Sequence, residues 1–201
     1  WKVYEIDKKK KGEGDLRFLE AVFVKLVRNY AWWINTKDPK GRFIFDGGFL
    51  GLDNVGAFDR GAPLKHGQWL GQVDGTCWMA LYSLNMTRIA LELSKINDVY
   101  EDEAIYYAIN FFSIAQNVHD KELGLWNDEE GIYNDVIHEK GELNLPIPIK
   151  NIVALLPLAV VECISILEWN AAPRFHKAIE LYLKENPKAK PYFKINATGD
   201  R

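Results

Sequence analysis

The stretch from Asp46 to Trp78, DGGFLGLDNVGAFDRGAPLKHGQWLGQVDGTCW, constrains the fold more than any other part of the chain. It is crowded with Gly, Asp and aromatic residues and has no long apolar stripe, so it reads as a connection between the helical segments on either side. Gly47, Gly48, Gly51 and Gly56 permit tight backbone paths. Loops of this composition, held by rigid helices, are where binding and catalytic groups tend to sit. Asp46, Asp53, Asp59 and Asp74 place four carboxylates in the connection, interleaved with Phe49, Phe58, Trp69 and Trp78. Flat rings stack on the apolar faces of pyranoses while acids bind hydroxyls or move protons, so the pattern points to a sugar-handling site.

The flanking segments are helical by periodicity. Leu16, Leu19, Phe23, Leu26, Val27, Tyr30 and Ile34 follow three-and-four spacing, which predicts a helix from Asp15, its N-cap, to about Asn35. A second helix is expected from about Gly75 to Lys95, with the Asp74 carboxylate favoured at its N-terminus. A third is expected from Tyr100 to Val118, after the Asn97-Asp98 break. Phe43-Ile44-Phe45 reads as a short extended piece, and Ile132–His138 as a strand of a hairpin with Leu125-Trp126. A fourth helix, Lys150–Glu168, is apolar nearly all round and therefore expects partners on every side, with Pro157 a kink or its true start. A fifth spans Pro173–Lys184, and the tail from Pro187 reads as loose. Five or so helices with one needing cover on all sides suggest one portion of a larger helical domain.

A net charge of −3 leaves no basic face for nucleic acid, and the Lys8–Lys11 run reads as a solvated turn. No apolar run reaches membrane-spanning length, since Pro157 and Glu162 interrupt Ile152–Leu167. Cys77 and Cys163 sit in apolar stretches and read as buried free thiols, which favours a reducing, cytoplasmic setting. No Cys/His spacing suggests a metal site, and no cofactor motif is present.

Gly47-Gly48-Phe49-Leu50-Gly51-Leu52-Asp53-Asn54-Val55-Gly56-Ala57-Phe58-Asp59-Arg60 resembles family 63 of the glycoside hydrolases, the group containing processing alpha-glucosidase I. The resemblance continues through Gln72-x-Asp74-Gly75-Thr76-x-Trp78, Gly124-Leu125-Trp126, Tyr133-x-Asp135-Val136 and Leu155-Leu156-Pro157-Leu158. It implies an all-α chain, part of an (α/α)6 barrel with a small β-hairpin insertion, in which residues 1–190 are a partial catalytic domain and 191–201 a loose tail. It further implies inverting hydrolysis of alpha-glycosidic bonds in oligosaccharides. The family's general acid lies in a Gly-Leu-Asp loop, which places that role on Asp53. Phe49, Asp59, Arg60, Gln72, Asp74, Trp78 and Trp126 are the expected substrate contacts. The family's general base is a Glu late in the barrel, and nothing in residues 140–201 matches its segment. The rest of the barrel would come from a longer polypeptide or another chain.

Structural roles compete at several of these positions. Asp59 beside Arg60 reads equally as a loop-pinning ion pair. Asp74 divides between helix cap and sugar ligand, and Trp78 and Trp126 between core and stacking platform. Trp32 and Trp33 lie about 100° apart on their helix, so they cannot both face the same way; one reads as core and the other as a candidate to face the site. His119, His138 and His176 read as surface residues. Two other functions stay open: a truncated helical module that binds carbohydrate without cleaving it, and a structural part of a larger assembly.

Overall fold

The computed structural model describes residues 1–38, 40–47, 58–139 and 144–194. The helices are α1 (Lys2–Lys11), α2 (Leu16–Thr36), α3 (Val73–Leu93), α4 (Val99–Val118), α5 (Ile166–Ala171) and α6 (Pro173–Glu185). The strands are β1 (Gln68–Gly71), β2 (Trp126–Asn127), β3 (Ile132–Tyr133), β4 (Asp135–Glu139) and β5 (Leu145–Ile147). Two 3-10 segments, Ile152–Ala159 and Pro187–Tyr192, complete the order.

Helix α3 is the axis. Trp78 is its one exposed residue, and Met79, Met86, Ile89 and Leu93 are fully buried along it. A polar-lined core is affordable there because each buried hydroxyl is bonded, to its own helix or to a neighbour. Thr87 and Ser83 donate back to carbonyls four residues earlier, while Tyr30 of α2 shares a 2.7 Å hydrogen bond with Ser83 and meets Tyr107 of α4 edge to face. Asp15 caps α2 by accepting from the Phe18 amide at 2.9 Å. Helix α6 starts at Pro173 and buries Phe175, Ile179 and Leu183 against α4. Four of the helices expected from spacing alone therefore form close to their expected bounds.

The all-α expectation is overturned. Strands β1, β4 and β5 form a three-stranded antiparallel sheet in the order β1-β4-β5, and β2 and β3 form a separate two-stranded one. The run Ile132–His138 is not one strand. It breaks at Asn134, whose amide donates to the Leu125 carbonyl, so that β3 pairs with β2 while β4 pairs with β1 in the register Trp69↔His138. The described helices form no barrel. They pack as α2 and α6 on either side of the α3–α4 pair, and the three-stranded sheet joins the N-terminal end of α3.

Other expectations are corrected by local chemistry. The Lys8–Lys11 run is the last turn of α1, stopped by Gly12 at φ 83°, and Lys8 pairs with the buried Glu92 of α3. The Lys150–Glu168 helix does not form. Pro157 has no amide proton, so the segment runs as a 3-10 turn and then without regular structure to Ser165, where a capping box with Glu168 starts α5. Cys163, in the irregular part, is exposed, whereas Cys77 is buried. The chain beyond Pro187 is not loose as far as it is described: Ala189 is buried and Phe193 packs on Trp169. His138 is buried rather than on the surface, stacked on Trp69 at 4.1 Å.

Glu168 yields a pH prediction. Burial alone would raise its carboxyl, but hydrogen bonds from Arg88 and Ser165 outweigh that and bring it from 4.5 to about 2. The stability it contributes is complete above its unfolded pKa and is lost as pH falls from 4.5 toward about 2. In urea titrations, Glu168→Gln should be less stable than the parent near neutrality, and the difference should close as the pH approaches about 2. A difference that is constant across this range would assign the effect to packing rather than charge.

Candidate functional site

The segment after α2 is drawn onto the start of α3. Asp38 accepts from the amides of Arg42 and Phe43 at 2.9 and 2.8 Å, closing a turn. Ile44 and Phe45 then run fully buried but outside any strand, and Phe43, expected in the same extended piece, takes a left-handed φ of 54°. The Phe45 amide donates to the Thr76 hydroxyl at 3.0 Å, and its carbonyl accepts from the Gln72 amide at 2.9 Å. At this crossing Gly75 faces Gly47. A Cβ on Gly75 would stand 2.8 Å from the Gly47 Cα, so only glycine allows the two backbones to approach so closely.

Arg60 anchors the far side of the same connection. Its guanidinium is buried between two carboxylates. Nη2 and Nη1 donate to Asp74 at 2.5 and 3.1 Å, while Nε and Nη2 donate to Asp135 at 2.6 and 3.2 Å. Asp74 is in the first turn of α3 and Asp135 opens β4. Asp135 also accepts from the Val73 amide at 2.9 Å, and Gln72 Nε2 donates to the Arg60 carbonyl at 3.1 Å. One guanidinium thus joins the connection, the helix start and the sheet. Burial pushes the Asp135 carboxyl above its ordinary value, with Arg60 opposing and the neighbouring Asp74 charge adding to the rise.

The expected site residues divide on this geometry. Arg60, Asp74 and Gln72 come together, but as a buried cluster: Asp74 is 0% exposed. Asp74 is not the helix cap, a position held by Gln72. Asp59 is exposed and accepts from the Gly61 amide at 2.8 Å, so the described ion pairs of Arg60 run to Asp74 and Asp135 and not to its sequence neighbour. Trp78, one turn beyond Asp74, is 46% exposed. Trp126 is half-buried, packed on Tyr133 at 4.8 Å with its Nε1 donating to Asp128, which makes it part of the β2–β3 hairpin. Of the pair in α2, Trp33 packs on the core and Trp32 is exposed. Asp53 and Phe49 lie outside the described residues.

Asp135 is the member that sequence reading missed as a site residue. The block Tyr133-x-Asp135-Val136 carried it; along β4 Asp135 shares a face with Ile137 and Glu139, while Val136 and His138 line the other. A second feature, an open polar cleft of about 660 Å3, lies along β1 and β4 between Lys40, Arg42, Trp69, Asp120 and Glu139. His138 lines it, with Nδ1 bonded to Asn144 at 2.7 Å and the ring kept neutral-leaning by burial. Among the described residues no group of His, Cys, Asp and Glu could hold a metal ion, and no helix is long and apolar enough to cross a membrane.

Over 172 residues, 79% of this chain, the sequence is 41% identical to the uncharacterized protein YMR196W of Saccharomyces cerevisiae. The matched stretch is 16% of that protein, so the chain spans about a sixth of the length of this relative. No family model and no solved structure matches the chain.

Removing Arg60 leaves two carboxylates in a site built for one cation. Arg60→Met should cost about 3–5 kcal/mol of stability at neutral pH. The cost should shrink in acid, where the orphaned carboxylates take up protons. Urea unfolding at several pH values measures both; a loss under 1 kcal/mol at neutral pH, with no pH dependence, would show the cluster to be energetically idle.

Proposed function

We propose that this chain is the acid-bearing portion of an inverting alpha-glycosidase, glucosidase-like and acting on oligosaccharides, with Asp53 as the general acid. One observation carries the reading: the residues flanking segment 48–57 are fixed on both sides to the same turn of α3, Gly47 by close packing on Gly75 and Arg60 by the buried Asp74–Asp135 clamp. A catalytic loop needs such fixed ends, because a misplacement of about 1 Å can cost about 100-fold in rate. Trp78 supplies an exposed ring beside this turn for stacking on a pyranose. The resemblance of the Gly-Leu-Asp-Asn and Gln-x-Asp-Gly-Thr blocks to family 63 supplies the reaction class.

In this reaction the protonated Asp53 gives its proton to the glycosidic oxygen as the bond from that oxygen to the anomeric carbon breaks. A water attacks the anomeric carbon from the opposite face and loses a proton to a carboxylate base, and the configuration inverts. The base belongs to a part of the polypeptide, or to another chain, outside these residues. Arg60, Asp74, Gln72 and Asp135 are positioning residues in this scheme, not sugar ligands. Binding without cleavage is the alternative.

The test uses the full-length polypeptide containing this segment. Asp53→Asn should lower turnover of an alpha-linked glucose disaccharide by about 100- to 10,000-fold while leaving binding nearly unchanged. The loss should be smaller for an aryl alpha-glucoside, whose leaving group needs little protonation. Near-normal turnover of the disaccharide by the variant would remove Asp53 from the mechanism. Saccharide binding by the parent protein with no hydrolysis at all would establish the alternative.

A further inference from the structure

The strip from Ile152 to Leu167 exposes what its sequence would bury. Ile152, Leu155, Leu158, Val161, Ile166 and Leu167 are each more than half exposed, Leu167 at 79%. Single exposed apolar residues are ordinary, but six within sixteen consecutive positions form a patch of the kind that marks an interface. Hollows flank the strip on both sides. One, of about 290 Å3, opens between α3, α4 and residues 160–164, with Phe111, Phe112, Trp169 and Phe175 in its walls. The other, of about 540 Å3, is bordered by Ile132, Ala154 and Leu155.

The first hollow is also incomplete in hydrogen bonding. Arg88, on its α3 wall, is buried to 7% exposure. Its Nη2 donates to Glu168 at 2.9 Å and its guanidinium lies over the Trp1 ring, but Nε and Nη1 have no acceptor. Buried donors without partners are costly, so an acceptor brought to this wall is stabilising.

We propose that the strip and its two hollows are the docking face for a further apolar segment of the same polypeptide, lying outside these 201 residues. That segment fills the hollows with aliphatic or aromatic side chains and presents one acceptor, a carboxylate or a backbone carbonyl, toward Arg88. The yeast relative argues for an intrachain occupant, because the stretch matched by this chain is 16% of its length. Covalent connection also favours it over a free partner, since a tethered segment meets the face at an effective concentration of order mM. The face is defined without reference to any reaction, so it stands or falls separately from the glycosidase reading.

Cys163 sits in the strip with its side chain exposed, and Cys77 is buried in α3, so thiol labelling reports on the cover. The experiment follows maleimide labelling of each cysteine by peptide mass spectrometry in the native full-length polypeptide and in the same protein under denaturant. A docked segment should slow Cys163 labelling by about 100-fold or more relative to the denatured protein, independent of protein concentration. Val161→Glu, which places a charge in the strip, should restore fast labelling at Cys163 while Cys77 stays protected. Native labelling of Cys163 within a few-fold of the denatured rate would overturn the proposal. Protection that disappears on dilution would also overturn it, by assigning the face to a second copy.

Discussion

A guanidinium held between two buried carboxylates is the joint on which this structure turns. Arg60, Asp74 and Asp135 come from a loop, a helix and a strand, and each is almost wholly removed from water. Two carboxylates and one cation in such a place are tolerable only together: desolvation is offset by the attraction and by the extra hydrogen bonds from the Val73 and Gly75 amides. The cluster therefore couples parts of the chain that have little else in common. If β4 leaves, α3 keeps a carboxylate with a half-satisfied cation, and if the connection leaves, both carboxylates are stranded.

This joint explains why α3 can be both the core axis and the floor of the connection. Its first turn is polar and glycine-containing, and it accepts residues 44–47 on one side and Arg60 on another. From Met79 onward it packs on α2 and α4, burying Met79, Met86, Ile89 and Leu93 together with the bonded Ser83 and Thr87. Only Trp78 breaks the pattern by facing outward at the boundary between the two regimes. Of the acids that first attract attention in the sequence, Asp74 is occupied in holding the connection, whereas Asp59 is exposed.

The helices were legible because their information is local. Three-and-four spacing, the Asp15 cap and Pro173 at the first turn each act within a few residues. The sheet was not legible, because β1 is four residues long and its partner β4 lies nearly seventy positions away, with Trp69 opposite His138. The same distance hid the candidate site. Arg60 and Asp135 are separated by 75 positions, and the nearer Asp59 offered a plausible but unused ion pair. The apolar Lys150–Glu168 stretch was misread as a helix because hydropathy says what is buried, not how the backbone runs; Pro157 and the Ser165–Glu168 box set that. Its apolar side chains, which prompted that reading, lie in the exposed strip.

The central claim is that the Arg60 cluster ties the connection, the helix start and the sheet into one cooperative unit. Native-state amide hydrogen exchange in Asp135→Asn tests it most directly, because the amide side chain keeps the shape and the acceptor for Val73 while losing the charge that holds Arg60. The account predicts that amides of Ala62, Leu70, Gln72 and Val73 lose protection together, converging on one opening free energy. Loss confined to β4, with Ala62 and Gln72 exchanging as in the parent, would show that the three parts are held independently and would contradict it.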